Sequence, residues 1–236
     1  MQAAGSASGD KVYVEDVFST HLYTGTGSTT QSINNGMDLS GTGGLVWAKP
    51  RSSSGSNSLY DTERGVQKAL ISNATGGNQD DSGGGGTAGL YQFNSNGFSL
   101  GDNYAAAANN NNEDMVAWTF LKQEGFFDVV TWTGNATIRT ISHNLGCVPG
   151  FIIIKRLDTS SHWVCYHKSV GPTKWLYLNN TNAALDDDTA FNDTAPTSSV
   201  FTVGTMDRVN SNGGTHVAYL FADGDSSDAQ IFGEDG

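Results

Sequence analysis

His143 and Cys147 stand close together in ISHNLGCVPGFIIIKR (141–156). A thiol beside an imidazole is a pairing that can do nucleophilic chemistry, the base taking the proton and the thiolate attacking. Such a centre also needs an oxyanion site and a turn that presents the nucleophile, and no G-x-S-x-G type of elbow accompanies this one. The other reading is a partly buried turn thiol ahead of a core strand. A second pair lies in HWVCYH (162–167). On a strand Cys165 and His167 share a face, the start of a zinc site that would need two more ligands, or one more and a water. Cleaving a glycosidic bond needs two carboxylates at a set separation. Here Glu15, Glu63, Glu113, Glu124 and Glu234 are scattered, and Asp61-Thr62-Glu63 lies at a turn. Asp186, Asp187, Asp188, Asp223 and Asp225 offer oxygen ligands to calcium without EF-hand spacing. No phosphate-binding or dinucleotide-binding glycine loop is present. The expectation is a protein that is not an enzyme, with no catalytic residue, no cofactor and no metal beyond those weak calcium candidates.

Composition narrows the class. The 236 residues are 37% hydrophobic and only 15% charged, with 30 glycines; an average domain is about 25% charged. Thr fits a pleated surface and Gly supplies turns, so short strands are favoured over helices. The net charge of −12 with 12 basic residues argues against nucleic acid and against an anionic membrane. The opening MQAAGSASGD has neither the basic start nor the apolar centre of a secretory signal.

The elements that must position these residues come in two similar sets. YTGTG, GLVWAKPRS, LYDTERGVQKALISNAT, GFSLG and MVAWTF in the first half answer to WTGNA, GFIIIKRLD, CYHKSVGPTKWLYLNNT, VFTVG and HVAYLF in the second. Gly44 matches Gly150 (150 − 44 = 106), and Tyr60/Tyr166 and Lys68/Lys174 keep the same offset. Short apolar runs such as Leu45–Trp47 and Phe151–Ile154 signal strands buried on both faces. Seven strand pairs are expected, near Tyr23/Trp132, Ile33/Ile141, Val46/Ile153, Leu59/Cys165, Leu70/Leu176, Phe98/Phe201 and Ala117/Ala218, with turns at Asn35-Gly36, Asn96-Gly97 and Asn212-Gly213-Gly214. The fold class is all-β: two tandem β-sandwich or jelly-roll units, or one larger sandwich made by both repeats. The expected organisation is an N-terminal arm (1–16), a first unit (17–124), a second unit (125–222) and an acidic, Gly-rich tail (223–236). The stretches 73–89 and 105–114 are low in complexity and read as spacers.

The repeat also sorts the candidates. Leu59 stands opposite Cys165, which makes Cys165 a small core residue. Asp61 stands opposite His167, which puts His167 near the surface. His143 and Cys147 have no counterpart in SINNGMDLSGTGGLVWAKPR (32–51), so they read as decoration on the loop. Trp47 and Trp118 match Ile153 and Tyr219 and look like core. Trp175 matches Ala69 and is expected to be the exposed one, the candidate for glycan binding.

KVYVEDVFSTHLYTGTGSTTQSINNGMDLSGTGGLVWAKPRS, LYDTERGV, FNSNGFSLG, FFDVVTWTGN, ISHNLGCVPGFIIIKR and THVAYLF resemble a repeat-bearing family of virion structural proteins of marine bacteriophages, including those of cyanobacteria. The resemblance runs from about Lys11 to Gly236. It implies a lectin-like or concanavalin-like sandwich in a virion component: tail fibre, tail-associated protein or capsid decoration. It further implies other virion proteins as partners, a homo-oligomer (a trimer for a fibre), attachment through the N-terminal region and contact with host-surface glycan. It brings no catalytic residue with it.

Overall fold

The computed structural model describes residues 12–27, 30–84, 86–102 and 106–224. The first half forms β1 (Phe18–Thr24), β2 (Gln31–Asn34), β3 (Gly44–Pro50), β4 (Ser58–Asp61), β5 (Lys68–Ile71), β6 (Gln79–Asp80), β7 (Leu90–Asn94), β8 (Gly97–Leu100) and β9 (Asp114–Leu121). The second forms β10 (Phe127–Thr133), β11 (Arg139–Ser142), β12 (Pro149–Arg156), β13 (Val164–His167), β14 (Lys174–Tyr177), β15 (Leu185–Asp186), β16 (Val200–Val203) and β17 (Thr215–Ala222). Three single-turn helices complete it: α1 (Val14–Val17), α2 (Asp188–Phe191) and α3 (Asp207–Asn210). The protein is an all-β sandwich, its ladders antiparallel.

Two six-stranded sheets have the same order, β1-β9-β3-β4-β5-β6 and β10-β17-β12-β13-β14-β15. A three-stranded sheet β2-β8-β7 belongs to the first half and a two-stranded sheet β11-β16 to the second. Strand alternation sorts each long strand between two cores. Val46, Ala48, Tyr60, Ala69 and Ala117 join Ile33, Phe98 and Leu100 in the first core. Ile152, Ile154, Val164, Tyr166, Ala218 and Leu220 join Ile141, Phe201 and Val203 in the second. The intervening residues Leu45, Leu59 and Leu70 meet Phe127, Ile153, Trp163, Cys165, Val217 and Tyr219 in a third core between the large sheets. Both expected arrangements are thus present at once: each half has its own small sandwich, and the two large sheets also pack against each other. This is why β3, β12, β9 and β17 read as continuous apolar runs; both faces are largely covered.

Residues matched in sequence make matched bonds. The Ser72 amide donates to the Asn57 carbonyl at 3.1 Å, and the Leu178 amide to the Trp163 carbonyl at 3.4 Å. The Asn57 amide donates to Asn73 Oδ1 at 3.1 Å, as Trp163 does to Asn179 Oδ1 at 3.2 Å. Gly65 and Gly171 both hold φ +84, the left-handed turn after β4 and after β13 that glycine allows. Asn109 Nδ2 donates to the Gly101 carbonyl at 3.0 Å, and Asn210 Nδ2 to the Gly204 carbonyl at 2.8 Å.

Four details depart from expectation. β6, β7 and β15 are not among the expected strands, and β7 makes the outer layer of the first half one strand wider than that of the second. The stretch 73–89 is no spacer: Asp81 is fully buried and accepts from the Tyr60 hydroxyl at 2.9 Å. In 105–114, Ala106, Ala108 and Asn109 are buried, because small side chains let loop backbone lie close to the core. Val12 packs on the first core although it falls within the expected arm of residues 1–16. Residues 1–11 and 225–236, with Asp225, lie outside the described residues.

Candidate functional site

The would-be catalytic residues are structural. His143 is buried, its Nδ1 accepts from the Leu145 amide at 3.2 Å, and its ring stacks on Phe201 at 6.4 Å. Burial holds its imidazole below the ordinary value. Cys147 is fully buried in the second core. Buried Asp128 fastens the loop by accepting from the Asn144 amide at 2.7 Å. The pair is therefore not decoration on the loop but the part of it that enters the core, where apolar volume is needed. Cys165 is core as expected, and burial pushes its thiol up to about 12. His167 is exposed and accepts from the Ser169 amide at 3.1 Å.

The acidic candidates do not converge. Asp187 is the N-cap of α2, accepting from the Thr189 amide at 2.9 Å and the Thr189 hydroxyl at 2.6 Å, and those bonds hold its carboxyl below the usual range. Asp186 and Asp188 are exposed beside it. Asp223 is elsewhere, ion-paired with Lys168. Among the described residues no group of three or more His, Cys, Asp or Glu is placed to hold a metal.

Trp175 overturns the expectation of an exposed tryptophan: it is only 2% exposed, in the second core with Tyr177 edge-on at 4.7 Å. Its partner Ala69 faces the first core in the same way. The register was right and the inference from size was wrong. Opposite Ala69 lies a three-stranded layer, whereas opposite Trp175 lie only two strands, so a larger side chain supplies the missing volume. The half-exposed tryptophans are Trp47 and Trp118, cross-strand partners on β3 and β9.

Among the polar ties that join the halves, two rest on buried charged side chains, and sequence reasoning missed both. Arg64, at the turn after β4, pairs with buried Asp61 through Nε at 2.5 Å, and the Tyr219 hydroxyl of β17 donates to Asp61 Oδ2 at 2.8 Å. Arg64 also donates to the Lys68 carbonyl at 2.6 Å, Asn78 Oδ1 at 2.9 Å, the Leu59 carbonyl at 3.1 Å and the Tyr219 oxygen at 3.3 Å. The spacing of Asp61 and Arg64 was a legible hint, but Tyr219 is far away in the chain. The second tie is buried Lys155, whose Nζ donates to the carbonyls of Arg156 (2.9 Å), Ser161 (2.9 Å) and, across the junction, Thr75 (3.2 Å). Burial brings its ammonium down to about 8. Trp163 lies beside it and donates Nε1 to the carbonyls of Ile71 and Ala74, both at 3.1 Å.

Three clefts open along this junction, one of them, of about 530 Å³, between Arg64 and Asn78 on one side and Trp132 and His216 on the other; the other two differ in charge. One, of about 680 Å³, is lined by Thr75, Arg156, Ser160, Ser161, His162 and Arg208. Arg208 lies over the rings of Tyr177 (5.5 Å) and Trp175 (5.9 Å), and Arg156 is occupied by Asp158 through two bonds of 2.9 Å. The other, of about 440 Å³, is lined by Trp47, Asn57, Asn73, Leu178, Asn180 and Thr181, with Ser72 and Asn179 behind. An indole face with amides and no charge can hold a polyhydroxylated molecule; the larger of the two offers an anion the guanidinium of Arg208, with the carboxylate of Asp207 beside it.

No curated protein and no solved structure gives a significant match to this chain. A family profile does match, over residues 14–227, nearly the whole of the described chain. The chain belongs to the family described as a domain of unknown function, DUF7483.

Proposed function

We propose that this chain is a non-catalytic structural component of a bacteriophage virion, a tail fibre or tail-associated protein that attaches through its N-terminal region and displays the paired sandwiches outward as a homo-oligomer. The observation that carries this reading is the third core: Leu45, Leu59 and Leu70 against Ile153, Trp163 and Tyr219 fuse two small sandwiches into one stiff body. A part that must hold its shape on a particle needs such fusion more than it needs a mobile site. Burial of both thiols, with Cys165 pushed up to about 12, fits a chain that does no nucleophilic chemistry. The sequence resemblance supplies the setting. The test is mass spectrometry and immunogold labelling of gradient-purified particles, with and without residues 1–16. The chain should be found on tails and be lost from particles on truncation. A chain absent from purified particles refutes the reading, and labelling on the head moves it to capsid decoration.

A second reading, recognition of a host-surface glycan, is favoured by the uncharged groove under Trp47.

A further inference from the structure

The two halves treat equivalent places differently. In the second half, Trp163 stands just before β13 and fills the gap between its own sheet and the first half's 72–78 loop. Its counterpart in the first half, at the same offset of 106 (163 − 57 = 106), is Asn57. The backbone frame is the same at both places, as the paired amide bonds to Asn73 and Asn179 show. The large plug is therefore present on one side and missing on the other. What remains is the groove of about 440 Å³ between Trp47 and the second half's loop Leu178–Thr181.

We infer that this groove binds a neutral saccharide, Trp47 stacking on the apolar face of a sugar ring and the amides of Asn57, Asn73 and Asn180 meeting its hydroxyls. The inference rests on the glycan reading above and gives it a site and a ligand class. Trp47 is half-exposed, and no bond to its indole N–H is made by the described residues. Asn73 and Asn180 spend their amide oxygens on the backbone amides of Asn57 and Asn182, at 3.1 Å each, which leaves both NH₂ groups to donate. Asn57 Oδ1 is buried without a partner, a cost that a ligand hydroxyl would remove once the amide turns into the groove. Leu178 adds an apolar wall, and no charged side chain lines the space. Such a lining suits a ligand rich in hydroxyls and C–H faces, and it offers no positive charge to compensate a carboxylate or a sulfate.

The test uses the full chain on an array carrying both neutral glycans and glycans bearing uronic acid or sulfate. Wild type should bind neutral members. Asn57→Trp, which installs the plug that the other half already accommodates, should weaken binding at least about tenfold, as loss of a central contact does. Asn180→Ala, an exposed position whose change leaves the cores intact, should weaken it several-fold, and Arg208→Ala should leave it unchanged. Retained binding by Asn57→Trp overturns the groove. Binding confined to acidic glycans and lost in Arg208→Ala also overturns it but leaves the glycan reading standing at the cleft that Arg208 lines. A blank array overturns both.

Discussion

Tyr219→Phe removes one oxygen from the junction and keeps the ring in the third core. That hydroxyl donates to Asp61 Oδ2 at 2.8 Å and accepts from Arg64 at 3.3 Å, and all three side chains are essentially out of water. A hydrogen bond to a charged group contributes about 1.5–3 kcal/mol, and a buried group left without its partner pulls towards the upper end. For a chain of this length each kcal/mol moves the melting temperature by roughly 2–4 °C, so Tyr219→Phe should melt about 4–10 °C below wild type. Arg64→Ala should do more. It strands Asp61 in the core with its charge unpaired, a loss of about 3–5 kcal/mol. In the double variant Asp61→Ala/Tyr219→Phe the two effects should not add, since the Tyr219–Asp61 bond is lost in both singles. Urea titration followed by tryptophan fluorescence reads all of these as shifts in midpoint at constant slope. The tie also predicts one transition for both halves, with the calorimetric and van't Hoff enthalpies equal. A Tyr219→Phe midpoint within error of wild type would refute the claim that this network helps join the halves.

Lys155 gives a pH signature. Burial lowers its ammonium from 10.5 to about 8 in the folded state, so between those values the unfolded chain carries the extra proton. Stability should therefore rise with pH from about 8 to about 10.5 relative to Lys155→Met, which lacks the titration; parallel urea midpoints across that range would contradict the burial argument. Trp175→Ala should cost about 3–5 kcal/mol by opening a core cavity, and the soluble fraction should keep wild-type glycan-array behaviour; a stable variant with lost binding would restore Trp175 as a surface residue. Cys147 and Cys165 should resist iodoacetamide at pH 8 in the native state and react fully in denaturant, as intact-mass measurement will report.

Much of the strand plan could be read in the chain because its long strands are buried on both sides. Val46 and Ile153, or Ala117 and Ala218, sit in apolar runs that only a doubly covered strand tolerates, and all seven expected strand pairs fall on observed strands. The misses have physical causes. Segments such as 73–78 look like filler because their contacts are made by backbone carbonyls, which carry no residue code: Thr75 meets Lys155 through its carbonyl oxygen, and Ala74 meets Trp163 in the same way. Trp175 was misplaced because a repeat transfers the direction of a side chain but not the volume across from it.

Sequence alone determined the class: uncharged, Gly- and Thr-rich strands in two matching sets, with turns where Asn-Gly pairs stand. It also determined which faces alternate, since pleating makes that a local property. Only the tertiary structure decided that the two large sheets face each other and that Asp61, Arg64 and Tyr219 meet between them. It alone revealed that Trp163 plugs one side of the junction while Asn57 leaves the other open. Those facts depend on which distant surfaces come together, and no spacing along the chain encodes a gap between them.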